Sequence, residues 1–192
     1  MPNPNRRRAV ALGILFLAGA LVLLAARASS ASRPDPVERG RYLVSVLGCN
    51  DCHTPLRMGP KGPEPDMSRM LSGHPMAIKL KPAPSLADGW GYAGSETNTA
   101  FSGPWGVSFA MNLTPDKLSG IGIWTEDMFI RAIRLGKHWG QSRPIMPPMP
   151  WQAYRNLTDE DLHAVWSYLR TIPPIQNRPP DYLPPSGEQD GK

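Results

Sequence analysis

Between Thr54 and Asn112 run 59 residues that contain eight prolines, eight glycines and no sustained hydrophobic periodicity of helical or strand type. A segment of that length with no elements of its own is uncommon inside a compact domain. It has to find a surface to pack on, and the rest of the chain supplies little. Only three segments carry helical patterning, and all three are short; everything else reads as loop. A large apolar group held inside the fold is one physical answer, because it provides an interior that three short helices cannot build alone.

The first helical segment covers 37–47, where Val37, Gly40, Val44 and Leu47 recur at helical spacing and Pro36 is acceptable at the first turn. The second covers 126–135, with Thr125 to cap its start, Gly136 to close its end, and Phe129, Ala132 and Ile133 on its apolar face. In the third, Thr158 precedes Asp161 by three residues in the manner of a capping box. Leu162, Val165, Trp166 and Leu169 then form an i, i+3, i+4, i+7 stripe, and Pro173-Pro174 stops the helix. His163 falls off that stripe and is expected in solvent.

Arg6, Arg7 and Arg8 precede an uncharged apolar stretch over 9–26, which gives way to "RASSASRP". This is the pattern of an export signal. The stretch is short for a membrane span and long for a signal peptide, so residues 1–28 read either as a signal peptide, with Ala26 to Ala28 as cleavage point, or as an N-terminal membrane anchor. The arginines hold its start in the cytoplasm and place the remainder in the bacterial periplasm. Residues 29–35 then form a linker, 36–175 the domain, and 176–192 a proline-rich, partly mobile tail. Four of the 21 basic residues lie in 1–28, leaving 17 basic against 16 acidic side chains in the exported part. The basic pI thus reports targeting, and nucleic acid is not an expected partner.

The only two cysteines sit in "GCNDCHTP", residues 48–55, with a histidine directly after the second. A structural zinc needs four ligands, and the other histidines, His74, His138 and His163, are scattered singly. A thioredoxin-type dithiol should stand at the mouth of a βαβ unit, and no strand pattern flanks Cys49. A disulfide across so short a loop confers little stability. Covalent haem uses all three residues: Cys49 and Cys52 as the two thioethers of one haem c, and His53 beneath the iron as the proximal ligand.

With these residues in hand, the chain resembles the class I c-type cytochromes, and within them the single-haem domains found in cytochrome c subunits of membrane-bound alcohol and gluconate dehydrogenases. The resemblance rests on "RGRYLVSVLGCNDCHTP", "NLTPDKLSGIGIWTEDMFIRAIRLGK", "PIMPPMPW" and "LTDEDLHAVWSYLRTIPP". It implies an all-α fold of three main helices with long Pro/Gly-rich loops wrapped around the haem. The first and last helices would cross closely, with Gly40 leaving room for Trp166 or Tyr168. It also implies a methionine as distal iron ligand. Met149, followed by Pro150 and Trp151 and nine residues ahead of Thr158, fits that placement, with Met146 as runner-up; His74, His138 and an open site are the remaining alternatives. Prolines 147, 148 and 150 would stiffen the strap that presents this weak ligand. Around the haem, the Pro104 carbonyl is expected to orient His53, and Trp105, Asn112 and Trp124 to donate to propionates or pack on the porphyrin.

Such dehydrogenase subunits usually carry several haem domains, whereas one motif is present here, which implies a stand-alone monohaem protein. Two axial ligands leave no iron position for substrate, so the expected role is relay of single electrons, with no catalytic residues. A dehydrogenase or quinol-oxidising complex would be the donor and another cytochrome or an oxidase the acceptor. A haem enzyme or gas sensor with an open sixth position is one alternative, and a non-catalytic subunit of a specific membrane dehydrogenase is another. Arg131, Arg134, Lys137, Arg143 and Arg155 occur with no acid from 128 to 158, a run that steers an acidic partner or is a solvated face.

Overall fold

A computed structural model describes residues 35–185. The export signal or anchor over 1–28, all of the linker but Asp35, and residues 186–192 lie outside the described residues. Three main helices carry the domain: α1 (Pro36–Val46), α3 (Glu126–Leu135) and α5 (Asp159–Leu169). Two short helices, α2 (Cys49–His53) and α4 (Trp151–Tyr154), join them to the site. No helix among the described residues is long and apolar enough to cross a membrane.

Each main helix begins where a side chain can satisfy its free amides. Asp35 accepts from the Val37 amide, Thr125 from Met128 and Thr158 from Asp161. Gly136 closes α3 in the left-handed conformation at φ 64°, and a Cβ there would lie 2.3 Å from the Trp151 ring. Helices α1 and α5 cross at Gly40, where a Cβ would lie 1.9 Å from the Ala164 carbonyl oxygen and 2.8 Å from Tyr168 Cβ. The glycine therefore admits the α5 backbone together with the root of the Tyr168 side chain, one of the two aromatics expected there. Trp166 instead packs on Phe129 of α3, ring centroids 5.6 Å apart. Leu43 and Val44 join Leu162, Val165 and Leu169 in the core, and the Arg39–Asp161 ion pair at 3.0 Å spans the crossing. His163 is exposed as expected, 2.7 Å from Glu126.

The long segment after Thr54 is not simple loop. It forms an antiparallel hairpin, β1 (Leu56–Gly59) with β2 (Gly62–Pro65), and an antiparallel sheet in the order β3 (Ala93–Gly94), β4 (Ala100–Gly103), β5 (Gly106–Phe109). These strands are added to the three-helix frame without replacing it. The β4–β5 connection is the two-residue turn Pro104-Trp105, with Gly106 at φ 95° supplying the left-handed backbone it requires. Between the sheets, the Leu71 amide donates to Thr54 Oγ1 at 2.8 Å, and Leu71, Ser72 and His74 are fully buried.

Residues 176–185 of the expected tail are packed on the domain, and its last residues lie outside the described ones. Leu183 exchanges backbone hydrogen bonds of 2.8 and 2.9 Å with Val107 of β5, and the Tyr182 hydroxyl donates to the Trp105 carbonyl at 2.5 Å. Asn177 is completely buried. The prolines in this stretch leave its few remaining amides free to pair with β5 and the loops beneath.

Candidate functional site

Helix α1 stops at Leu47, and Gly48, left-handed at φ 70°, turns the chain directly into α2. Over that single turn Cys49 and Cys52 stand three residues apart on one face, with His53 at the helix end. All three line one apolar cavity of about 1440 Å³, counted out to its open mouth. Its walls include Phe101 and Phe109 of the sheet, Ile121, Trp124, Phe129 and Ala132 around α3, and Leu162, Val165 and Leu169 of α5. Met146 and Met149 line the same cavity.

The His53 ring is buried, and its Nδ1 lies 2.8 Å from the Met111 carbonyl oxygen. A carbonyl can only accept, so Nδ1 carries the hydrogen and Nε2 carries the lone pair. Burial pushes the His53 pKa down, against the opposing pull of the Met111 carbonyl, which keeps the ring neutral. A neutral, oriented imidazole with a free Nε2 in an apolar cavity is the form that binds a metal. Burial also pushes the Cys49 thiol up to about 11 and raises that of Cys52, so neither is the low-pKa thiolate of a redox dithiol. The two sulfurs are not joined to each other. Among the described residues no group of three or more His, Cys, Asp or Glu converges to hold an ion such as zinc.

The segment 145–151 is held as a strap at two points, with one further bond inside it. The Ile145 amide donates to the Gly136 carbonyl at 2.8 Å, the Trp151 amide to the Met149 carbonyl at 2.9 Å, and Ser108 Oγ to the Pro147 carbonyl at 2.5 Å. The cavity lining contributed by Tyr154 is fixed by its hydroxyl, which donates to the Leu47 carbonyl. Burial raises the Tyr154 pKa to about 12, so the hydroxyl keeps its proton.

Three expected neighbours are placed elsewhere. Pro104 is exposed at the tip of the β4–β5 hairpin, and the carbonyl that receives His53 is that of Met111. Trp105 shares that turn, donates to Ser108 Oγ at 3.3 Å and stands against Tyr92, outside the cavity lining. Asn112 has no hydrogen left for a propionate: its Nδ2 donates to Ile175 O at 2.7 Å and Asn177 O at 3.1 Å, and its Oδ1 accepts from Thr114. Trp124 does line the cavity, edge-on to His138 at 5.2 Å. His138 and Arg143 also reach the cavity, while His74 is sequestered behind Phe109, its Nδ1 2.9 Å from Thr99 Oγ1.

Sequence reasoning did not reach Met111, because a backbone carbonyl has no residue signature. It also missed Pro180 and Tyr182, which line the cavity from the C-terminal segment. An aromatic within "PPDYLPP" was the available signal for the latter.

Two thiols, a neutral imidazole and two thioethers thus line one apolar cavity inside a helical domain. The chain belongs to the cytochrome c family, whose profile matches residues 37–173. Haem c is the cofactor that membership implies. Three similar proteins are all larger. The fructose dehydrogenase cytochrome subunit of Gluconobacter japonicus is 32% identical over 143 residues, which is 74% of this chain and 22% of that protein. The gluconate 2-dehydrogenase cytochrome c subunit of Pantoea cypripedii is 29% identical over 156 residues, 81% of this chain and 27% of that protein. The cytochrome c subunit of the quinone-dependent alcohol dehydrogenase of Gluconobacter oxydans is 27% identical over 172 residues, 86% of this chain and 29% of that protein. The chain thus spans less than a third of the length of each of these relatives.

Proposed function

We propose that this chain is an exported monohaem c-type cytochrome that relays single electrons from a dehydrogenase to a downstream acceptor. Residues 9–26 would either be removed in the periplasm or tether the domain to the inner membrane. The observation that carries the proposal is the His53–Met111 contact, which leaves a neutral imidazole with Nε2 free inside the cavity that Cys49, Cys52 and Met149 also line. Bound haem supplies a one-electron couple. Cys49 and Cys52 would hold it through thioether bonds, His53 would supply a nitrogen ligand and Met149 a sulfur ligand, with Met146 the alternative. The apolar walls keep water away and so favour the reduced, less charged form. Among the described residues His138 and Arg143 reach the cavity, as do the hydroxyl-bearing Tyr154 and Tyr182, and the pinned strap favours two axial ligands over an open iron.

The relatives' printed names assign them to dehydrogenases, which supports a dehydrogenase as electron donor; another cytochrome or an oxidase is the expected acceptor. Of the basic residues near the strap, Arg134 is committed internally, to the Leu157 carbonyl at 2.7 Å and Asp159 at 2.5 Å, and Arg131 pairs with Asp127 at 3.1 Å. Lys137, Arg143 and Arg155 are exposed and have no carboxylate within ion-pair distance among the described residues. They form the face that would meet an acidic partner.

Absorption of the ferric, haem-loaded protein tests the assignment. The expected spectrum is low-spin with the weak red charge-transfer band of a thioether ligand. Met149→Ala should abolish that band with haem still attached. A high-spin wild-type spectrum would sink the relay reading, and loss of the band in Met146→Ala alone would move the ligand to Met146.

A further inference from the structure

Asn177 follows the last helix in a proline-rich segment, is completely buried, and uses every polar atom it has. Its Nδ2 donates to the carbonyls of Ser72 at 2.7 Å and His74 at 2.9 Å. Its Oδ1 accepts from the Met76 amide at 2.9 Å and from Arg69 Nη2 at 3.3 Å. Its own amide donates to Ser119 Oγ at 2.9 Å, and its carbonyl accepts from Asn112 Nδ2 at 3.1 Å. Four of these six hydrogen bonds come from the side chain, more than sealing a core needs, where an apolar side chain would serve as well.

What they hold is specific. Ser72 and His74 flank Gly73, whose amide donates to the His53 carbonyl at 2.8 Å. A Cβ on Gly73 would lie 2.4 Å from the Ala110 carbonyl oxygen and 2.7 Å from that of Met111. The Met111 oxygen is the atom that receives His53 Nδ1. Asn112, the next residue, is the one bonded to the Asn177 carbonyl. Asn177 therefore grips both sides of the His53–Met111 contact: the 72–74 segment that carries the His53 backbone, and the 111–112 segment that carries the acceptor.

We infer that Asn177 is a positioning residue for His53, setting the length of the Nδ1–H···O bond and through it the redox potential of the haem. The inference rests on the reading of His53 as the axial ligand. Donation from Nδ1 makes Nε2 more basic and favours ferric iron, so loosening the bond raises the potential.

The test uses the full, haem-loaded chain. Asn177→Ala is expected to raise the midpoint potential and to make exchange of the His53 Nδ1 proton about tenfold faster, the factor that corresponds to the loss of about one net hydrogen bond. Ile172→Ala serves as comparison, because Ile172 is a core residue outside the cavity lining. It should lower stability and leave potential and exchange unchanged. An Asn177→Ala protein that loses stability like Ile172→Ala but keeps the wild-type potential and exchange rate overturns the inference. Should Asn177→Ala fail to accumulate, Asn177→Ser and Ser119→Ala carry the same two readouts with smaller expected shifts and the same refuting result. A wild-type ferric protein without an imidazole-ligated spectrum would instead overturn the reading of His53 itself, before any variant is compared.

Discussion

Replacing Gly40 with alanine tests the crossing on which the domain depends. The added Cβ would meet the Ala164 carbonyl oxygen at 1.9 Å and its carbon at 2.6 Å. Both are helix backbone, so no rotamer change relieves the clash. Restoring ordinary contact demands that α1 and α5 move apart by about 1.5 Å, which forfeits much of the dispersion between Leu43, Val44, Leu162 and Val165. Overpacking of this kind costs about 1–3 kcal/mol, and the absence of a flexible neighbour puts this site at the upper end, about 3 kcal/mol. Alanine returns about 1 kcal/mol through its better helix propensity. The net loss is about 2 kcal/mol, or a melting temperature about 4–8 °C lower for a domain of this size. Thermal unfolding of haem-loaded protein, followed by circular dichroism, measures it. Gly91→Ala is the control, since a Cβ there meets nothing within 4 Å; it should stay within about 0.5 kcal/mol of wild type. If Gly40→Ala melts at or above the wild-type temperature, the close crossing is not the reason for the glycine.

Ser108→Ala removes the hydroxyl that holds the Pro147 carbonyl, a loss of about 1 kcal/mol that should strengthen displacement of the strap by added imidazole about fivefold; unchanged imidazole affinity would mean that the strap does not depend on Ser108. Burial, aided by the Arg143 guanidinium, lowers the His138 pKa to about 4. Because the unfolded chain takes up a proton near pH 6.5 and the folded one does not, stability is full above that pH and declines as pH falls from about 6.5 to about 4. His138→Gln should flatten that part of the melting-temperature profile, and an unaltered slope would assign it to other groups. Charge reversal at Lys137, Arg143 and Arg155 together should slow reduction by a dehydrogenase donor at low salt and erase the salt dependence of the rate; a rate indifferent to both would place docking on another face.

The helical frame was legible because its signals are local. Thr125 with Gly136, and Thr158 with its stripe, mark helix ends wherever they occur, and the Cys-x-x-Cys-His spacing pointed to haem once it was read together with the export pattern, the preceding helix and a total of two cysteines. The strands were not legible, because β4 and β5 are four residues each and their stability comes from pairing with one another and with Leu183. Met111 escaped for a different reason: any residue could present that carbonyl, and only the folded path brings it to His53. Asn112 misled in the opposite way, since a side-chain amide offers hydrogens to a propionate only if the chain has not already taken them, and here it has. Pro104 and Trp105 were expected at the site for the carbonyl and the indole they could offer it, and the hairpin turn carries them away from it.

Pro180 and Tyr182 line the same cavity as Cys49 and Cys52, although they come more than a hundred residues later in the chain. The lining of the cavity is consequently drawn from both ends of the domain. Cys49, Cys52 and His53 stand on its N-terminal side, and the C-terminal segment is the last part of the wall to be made. Shortening the chain before Pro180 would open the cavity without touching the turn that carries the two cysteines and the histidine.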